Sequence, residues 1–123
     1  MNNASTSGMQ NLMRIERLIA NDLQDILQKE NDNENTINLY NIGEYWVAFE
    51  KSAYQLEQIS DNVDASVVIR LKNHPFPLIF NTISSRVVRK LYKKSATAQF
   101  LQLPTSTLNR DTFKNWYKEL TLE

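Results

Sequence analysis

The stretch TINLYNIGEYWVAFEKSA, Thr36–Ala53, decides the fold. Its first seven residues set Ile37, Leu39, Tyr40 and Ile42 among polar neighbours, the pattern of a strand with one covered face. Gly43 and Glu44 break the run as a turn. From Tyr45 onward Trp46, Phe49, Ala53, Leu56 and Ile59 return at spacings of three or four, which predicts a helix over 45–59. A strand, a glycine turn and an aromatic-rich helix form the centre from which the rest is read.

Before this stretch, Leu12, Ile15, Ile19, Leu23 and Ile26 repeat at spacings of three and four, predicting an amphipathic helix from about Gln10 to Lys29. The polar run ENDNEN, Glu30–Asn35, ends it as a loop. Residues 1–8 are small and polar and are expected to form a disordered tail, with Met9 as an alternative start. After the centre, ASVVIRL (Ala65–Leu71) is rich in β-branched residues and predicts a strand. The prolines at 75 and 77 force an irregular loop. Ile83, Val87 and Leu91, with Val88 and Tyr92, predict a helix over about 82–94. ATAQFLQL (Ala96–Leu103) reads as a third strand, stopped by Pro104. A last helix over 107–120, capped by Thr107 or Asn109, covers Phe113, Trp116, Tyr117 and Leu120.

Helices between successive strands imply crossovers and therefore some parallel pairing. The expected fold is a three-layer α/β domain with a small mixed sheet of about three to five strands, flanking helices and an amphipathic N-terminal helix. With 123 residues, 9–123 make one domain and leave no room for two. Cysteine is absent, so no disulfide, thiolate metal site or cysteine nucleophile can form. That composition suits a reducing compartment, and no apolar run is long enough for a bilayer, so a cytoplasmic protein without a membrane partner is expected.

The chain has no visible catalytic constellation. Two glycines, Gly8 and Gly43, cannot build a phosphate-cradling loop, and the single histidine, His74, has neither companion ligands nor an evident nucleophile. The acids Glu44, Glu50, Glu57, Asp61 and Asp64 read as solvated faces and turns. The expectation is a non-enzyme with no catalytic residue, metal or cofactor.

Charge carries more information. Met1–Ala65 holds four basic and eleven acidic residues, and Ser66–Glu123 ten basic and three acidic, so the halves carry −7 and +7 within a neutral chain. Arg86, Arg89, Lys90, Lys93 and Lys94 share one side of the 82–94 helix, with Arg70 and Lys72 on the preceding strand as an extension. This face suits nucleic-acid phosphates, or it complements the acidic half of the same protein. Tyr45, beside the turn, is the aromatic placed to stack on a base. The alternative function is protein–protein interaction or self-association through the stripe Leu12, Ile15, Ile19, Leu23 and Ile26.

The run LYNIGEYWVAFEKSA resembles the strand, turn and helix of the amino-terminal mismatch-recognition domain of the MutS DNA repair family, and of small stand-alone proteins sharing its Gly-x-aromatic pattern. The likeness extends over about 36–103 and takes in the Phe76-Pro77 turn. It implies a MutS-domain-I-like core and places Tyr45 where the family has an aromatic wedge beside a mispaired base. Val47 stands where the family has a base-bonding glutamate, so the likeness implies the fold more than mismatch reading. The leading functional expectation is a non-catalytic binding module for nucleic acid.

Overall fold

The computed structural model describes residues 3–92 and 97–122, with side chains from Gln10 onward. The chain runs α1 (Asn3–Asn31), β1 (Thr36–Asn41), β2 (Tyr45–Phe49), α2 (Glu50–Ile59), β3 (Val67–Ile69), β4 (Leu78–Ser84), α3 (Ser85–Leu91), β5 (Phe100–Pro104) and α4 (Arg110–Thr121). The strands form one sheet in the order β3-β4-β2-β1-β5. Among the described residues this is an α/β fold of four helices and a five-stranded sheet. Helix α1 is already under way at Asn3, inside the segment expected to be a tail; residues 1–2 lie outside those described.

Two strands depart from the sequence expectation, and burial explains both. Tyr45–Phe49 is the strand β2 and not the start of a helix, and Leu78–Ser84 is the strand β4, overlapping the start of the expected 82–94 helix. Both lie in the middle of the sheet, with helices over both faces, so inward residues occur at every position. Trp46, Val47, Ala48 and Phe49 are all buried, as are Leu78, Ile79 and Phe80. A strand covered on both sides loses its alternation and reads as a continuous apolar run.

These strands also overturn the expected parallel pairing. Each inserted strand reverses the chain before the next helix, and all four pairings are antiparallel. The mixed sheet is therefore an antiparallel one.

Helix α1 covers one face of the sheet. Its Ile15, Ile19 and Ile26 pack into a cluster with Ile42, Val47, Phe49, Leu78 and Phe80. On the other face α2 and α3 contribute Ala53, Leu56 and Val88 to a cluster with Ile37, Leu39, Trp46, Ala48, Ile83 and Leu103. Helix α4 lies outside α2, with Tyr54 edge-on to Phe113 and Trp116. Each buried isoleucine of α1 stabilises the fold by roughly 1.5–3 kcal/mol relative to exposure.

One polar network joins three elements. Glu30, in the last turn of α1, is 2% exposed. Its carboxylate accepts from the Ser52 backbone N–H (2.8 Å) and hydroxyl (2.7 Å), the Asn38 amide (2.9 Å) and the Asn33 amide (3.3 Å). The Ser52 N–H belongs to the first turn of α2, where Phe49 supplies no side-chain cap, so Glu30 caps α2 from another helix. The Ser52 hydroxyl in turn accepts from the Asn38 backbone N–H at 2.8 Å. Burial pushes the Glu30 carboxyl above its ordinary range, against the opposing pull of the bonds from Asn38, Ser52 and Asn33.

Candidate functional site

The turn between β1 and β2 is held from both faces of the sheet. Gly43 takes φ +105°, a conformation that favours glycine. The Asn41 side chain accepts from the Gly43 N–H at 2.7 Å, and Ile42 N–H donates to the Tyr45 carbonyl at 2.9 Å. From the first residue of α3, the Ser85 hydroxyl donates to the Gly43 carbonyl (2.6 Å) and the Ser85 N–H to that of Glu44 (2.9 Å). From α1, the Arg14 guanidinium donates to the Ile42 carbonyl at 2.7 Å. A turn tied to two helices is a fixed platform.

Arginines gather around it. On the α3 side, a notch of about 480 Å³ is lined by Glu44, Tyr45, Ser84, Ser85, Arg86 and Arg89. On the α1 side, one of about 560 Å³ is lined by residues that include Arg14, Arg17, Asn21 and Asp22. Gly43 borders both. Four arginines from two helices on opposite faces of the sheet thus flank one turn, against Glu44 and Asp22. Arg14, Arg17, Arg86 and Arg89 are all exposed, as is Lys90 beyond them on α3. Such a convergence suits a ligand with several anionic groups, because guanidinium groups bind phosphate or carboxylate oxygens two at a time.

The structure separates the other expected contacts. Ile69 of β3 pairs with Leu78, at the start of β4, whereas α3 follows the end of β4 at Ser84. Six residues of strand, about 20 Å, therefore part Arg70 and Lys72 from Arg86. Arg70 also donates to the Thr121 carbonyl at the end of α4. These two residues do not extend the α3 patch. Lys93 and Lys94 lie outside the described residues.

Tyr45 is partly buried and packs against the cluster under α1 while lining the notch, so its ring is anchored and does not project as a free wedge. Val47, on the same face of β2, is fully enclosed. The expected self-association stripe is spent inside the chain: Ile15, Ile19 and Ile26 are buried, Leu23 is partly covered, and only Leu12 stays open at 49%. The physical reason is the sheet face beneath α1, which offers Val47, Phe49, Leu78 and Phe80 as a partner surface.

Sequence reasoning missed Arg14 and Arg17. They sit in the acidic half, and their contribution depends on α1 crossing the sheet beside a turn some 26 to 29 positions later in the chain. The available signal was two arginines set next to the apolar row of Ile15 and Ile19 in an otherwise acidic half.

No family model, curated protein or solved structure matches the chain. Among the described residues no group of three or more His, Asp or Glu is placed to hold a metal ion, and no helix is long and apolar enough to cross a membrane.

Proposed function

We propose that this protein binds nucleic acid at the β1–β2 turn, with Arg14, Arg17, Arg86 and Arg89 holding backbone phosphates and Lys90 extending the contact along α3. The observation that carries this reading is the gathering of four arginines, from segments about 70 residues apart in sequence, around one rigid turn. A turn pinned by Arg14 and Ser85 presents them without a large ordering cost on binding. Two notches on either side of one turn suit a strand of successive phosphates better than a single small anion. The resemblance of the turn to a mismatch-recognition domain supports the same class of ligand. Enclosed Val47 and anchored Tyr45 favour contact with the backbone over reading of a mispaired base.

The role is binding without catalysis. The α3-side notch contains two serine hydroxyls, but Ser85 is committed to the Gly43 carbonyl and Ser84 accepts from the Arg86 N–H as the cap of α3. Both hydroxyls are thus engaged with the backbone, and the Glu44 carboxylate that shares the notch stands among arginines that suit anion binding.

The test is fluorescence anisotropy with labelled single- and double-stranded oligonucleotides at low salt. The parent protein binds, and Arg86→Glu/Arg89→Glu abolishes binding with less than about 1 kcal/mol change in stability, since both side chains are exposed. Absence of binding to DNA and RNA alike overturns the proposal. So does binding that survives the double charge reversal.

A further inference from the structure

At the opposite end of β2 the chain forms a second cavity, of about 510 Å³, within the usual range for small-molecule sites. It opens between the end of α1, the start of α2, the loop before β4, and α4. The aromatic residues Phe76, Phe113 and Tyr117 and the imidazole of His74 line it. Two of these are fixed or conspicuous. Tyr117 donates its hydroxyl to the Pro77 carbonyl at 2.6 Å, which locks its ring as a wall. Phe76 is 64% exposed, a large apolar ring left at the mouth of the cavity.

Glu50 lies in this cavity and is unusual twice over. It is the non-glycine residue with a positive φ, +49°, among those described. This left-handed step takes the chain from β2 into α2 with no intervening loop. Backbone of this kind is costly for a side-chain-bearing residue and concentrates at ligand sites. Its carboxyl also keeps free bonding capacity: Oε2 accepts from the Ile79 N–H at 3.1 Å, whereas both oxygens of the neighbouring Glu30 are taken up by Ser52, Asn38 and Asn33. Glu50 is the carboxyl available to a ligand.

Cations complete the arrangement. Lys114 and Lys118, one turn apart on α4, line the cavity and are exposed, and neither forms an ion pair among the described residues. Lys51 lines it too but donates to the Asn31 carbonyl at 3.1 Å.

We infer that this cavity binds a nucleoside monophosphate: aromatic side chains take the face of the base, Glu50 takes its hydrogen-bonding edge, and Lys114 and Lys118 take the phosphate. A planar heterocycle satisfies aromatic walls and a carboxyl together, since every base has a π-face and a polar edge. An anion alone would face Glu50, and an organic cation alone would face two lysines, so a ligand with opposite demands at its two ends fits best. Burial lifts the Glu50 carboxyl to about 7, so near neutrality it either donates to a ring nitrogen or accepts from an amino group.

Calorimetric titration of the full chain with GMP, AMP and UMP, and with the parent nucleoside of each and ribose 5-phosphate as the separated halves, tests the assignment. At least one monophosphate is expected to bind with Kd below about 1 mM and at least about tenfold tighter than either half. Lys114→Ala/Lys118→Ala weakens the monophosphate about tenfold or more while leaving nucleoside binding unchanged, and both sites are exposed enough for the variant to fold. Glu50→Gln weakens monophosphate and nucleoside alike. Arg86→Glu/Arg89→Glu leaves this binding intact, which separates it from nucleic-acid binding at the β1–β2 turn. No heat with any monophosphate at about 5 mM, or equal binding by the parent and the lysine variant, overturns the inference.

Discussion

Replacing Glu30 by alanine removes the acceptor on which α1, β1 and α2 converge. Two donors are then stranded: the Ser52 N–H in the first turn of α2, and the Asn38 amide, whose bond to Glu30 at 2.9 Å is its donor contact in the structure. The Asn33 amide keeps the Thr36 carbonyl at 2.6 Å, and the Ser52 hydroxyl is free to rotate. Each stranded buried donor costs about 1–3 kcal/mol, and water entering the vacated space recovers part of it. The expected loss is therefore roughly 2–4 kcal/mol, or a fall in Tm of about 6–16 °C for a domain of this size. Equilibrium urea unfolding followed by circular dichroism measures it as a lower midpoint at unchanged slope. Glu34→Ala is the matched control. Its carboxylate meets Arg110 at 3.1 Å with both side chains mostly exposed, so its loss costs less than about 1 kcal/mol. Equal effects of the two substitutions, or a Glu30 effect below about 1 kcal/mol, would refute the account of Glu30 as a buried cap.

Three further outcomes follow from the geometry. Ile19→Ala costs about 2–4 kcal/mol by thermal or urea unfolding and Leu12→Ala under about 1, because the first is buried and the second half open; equal costs would mean that α1 does not pack as described. Glu50 has its carboxyl raised from 4.5 to about 7 in the folded protein, so folding takes up protons between those values, and its contribution is full below about 4.5 and lost as pH rises through 7. Unfolding free energy of the parent should therefore fall relative to Glu50→Gln by roughly 1–3 kcal/mol between pH 5 and 8, whereas parallel profiles would contradict that environment. Gly43→Ala costs about 1–3 kcal/mol, from a side chain held at φ +105° and from pushing the Arg14 guanidinium off the Ile42 carbonyl, since that guanidinium is what a Cβ would meet; an unchanged Tm would show that the turn relaxes freely.

Legibility in the sequence followed burial. α1 was readable because it is covered on one side, so Ile15, Ile19 and Ile26 alternate with exposed Glu16, Arg17 and Asp25. β1 and α4 were readable for related reasons, the latter through the Asn109 cap, whose side chain accepts from the N–H groups of Asp111 and Thr112. β2 was not, because covering both faces of YWVAF erased the two-residue period and left a spacing that imitates a helix turn. That one misassignment, with the matching one at β4, was enough to suggest parallel pairing in an antiparallel sheet. In the candidate site, Tyr45, Arg86 and Arg89 were legible as local composition. Arg14 and Arg17 were not, since only the packing of α1 across the sheet brings them to Gly43. The significance of Glu50 was equally hidden, because a left-handed residue between strand and helix leaves no compositional mark when it is not glycine.

Nucleic-acid binding at the arginine-flanked turn is tested most directly by the salt dependence of oligonucleotide affinity for the parent protein. The four arginines engaging phosphates predict that log affinity falls against log salt with a slope of at least roughly −3 for single strands or −3.5 for duplex, from about 0.7 or 0.9 per phosphate, and steeper with the Lys90 contact. Arg14→Ala/Arg17→Ala should reduce that slope by about half, the share assigned to α1. A parent slope near zero, absence of binding at low salt, or a slope untouched by the α1 double variant would contradict the account.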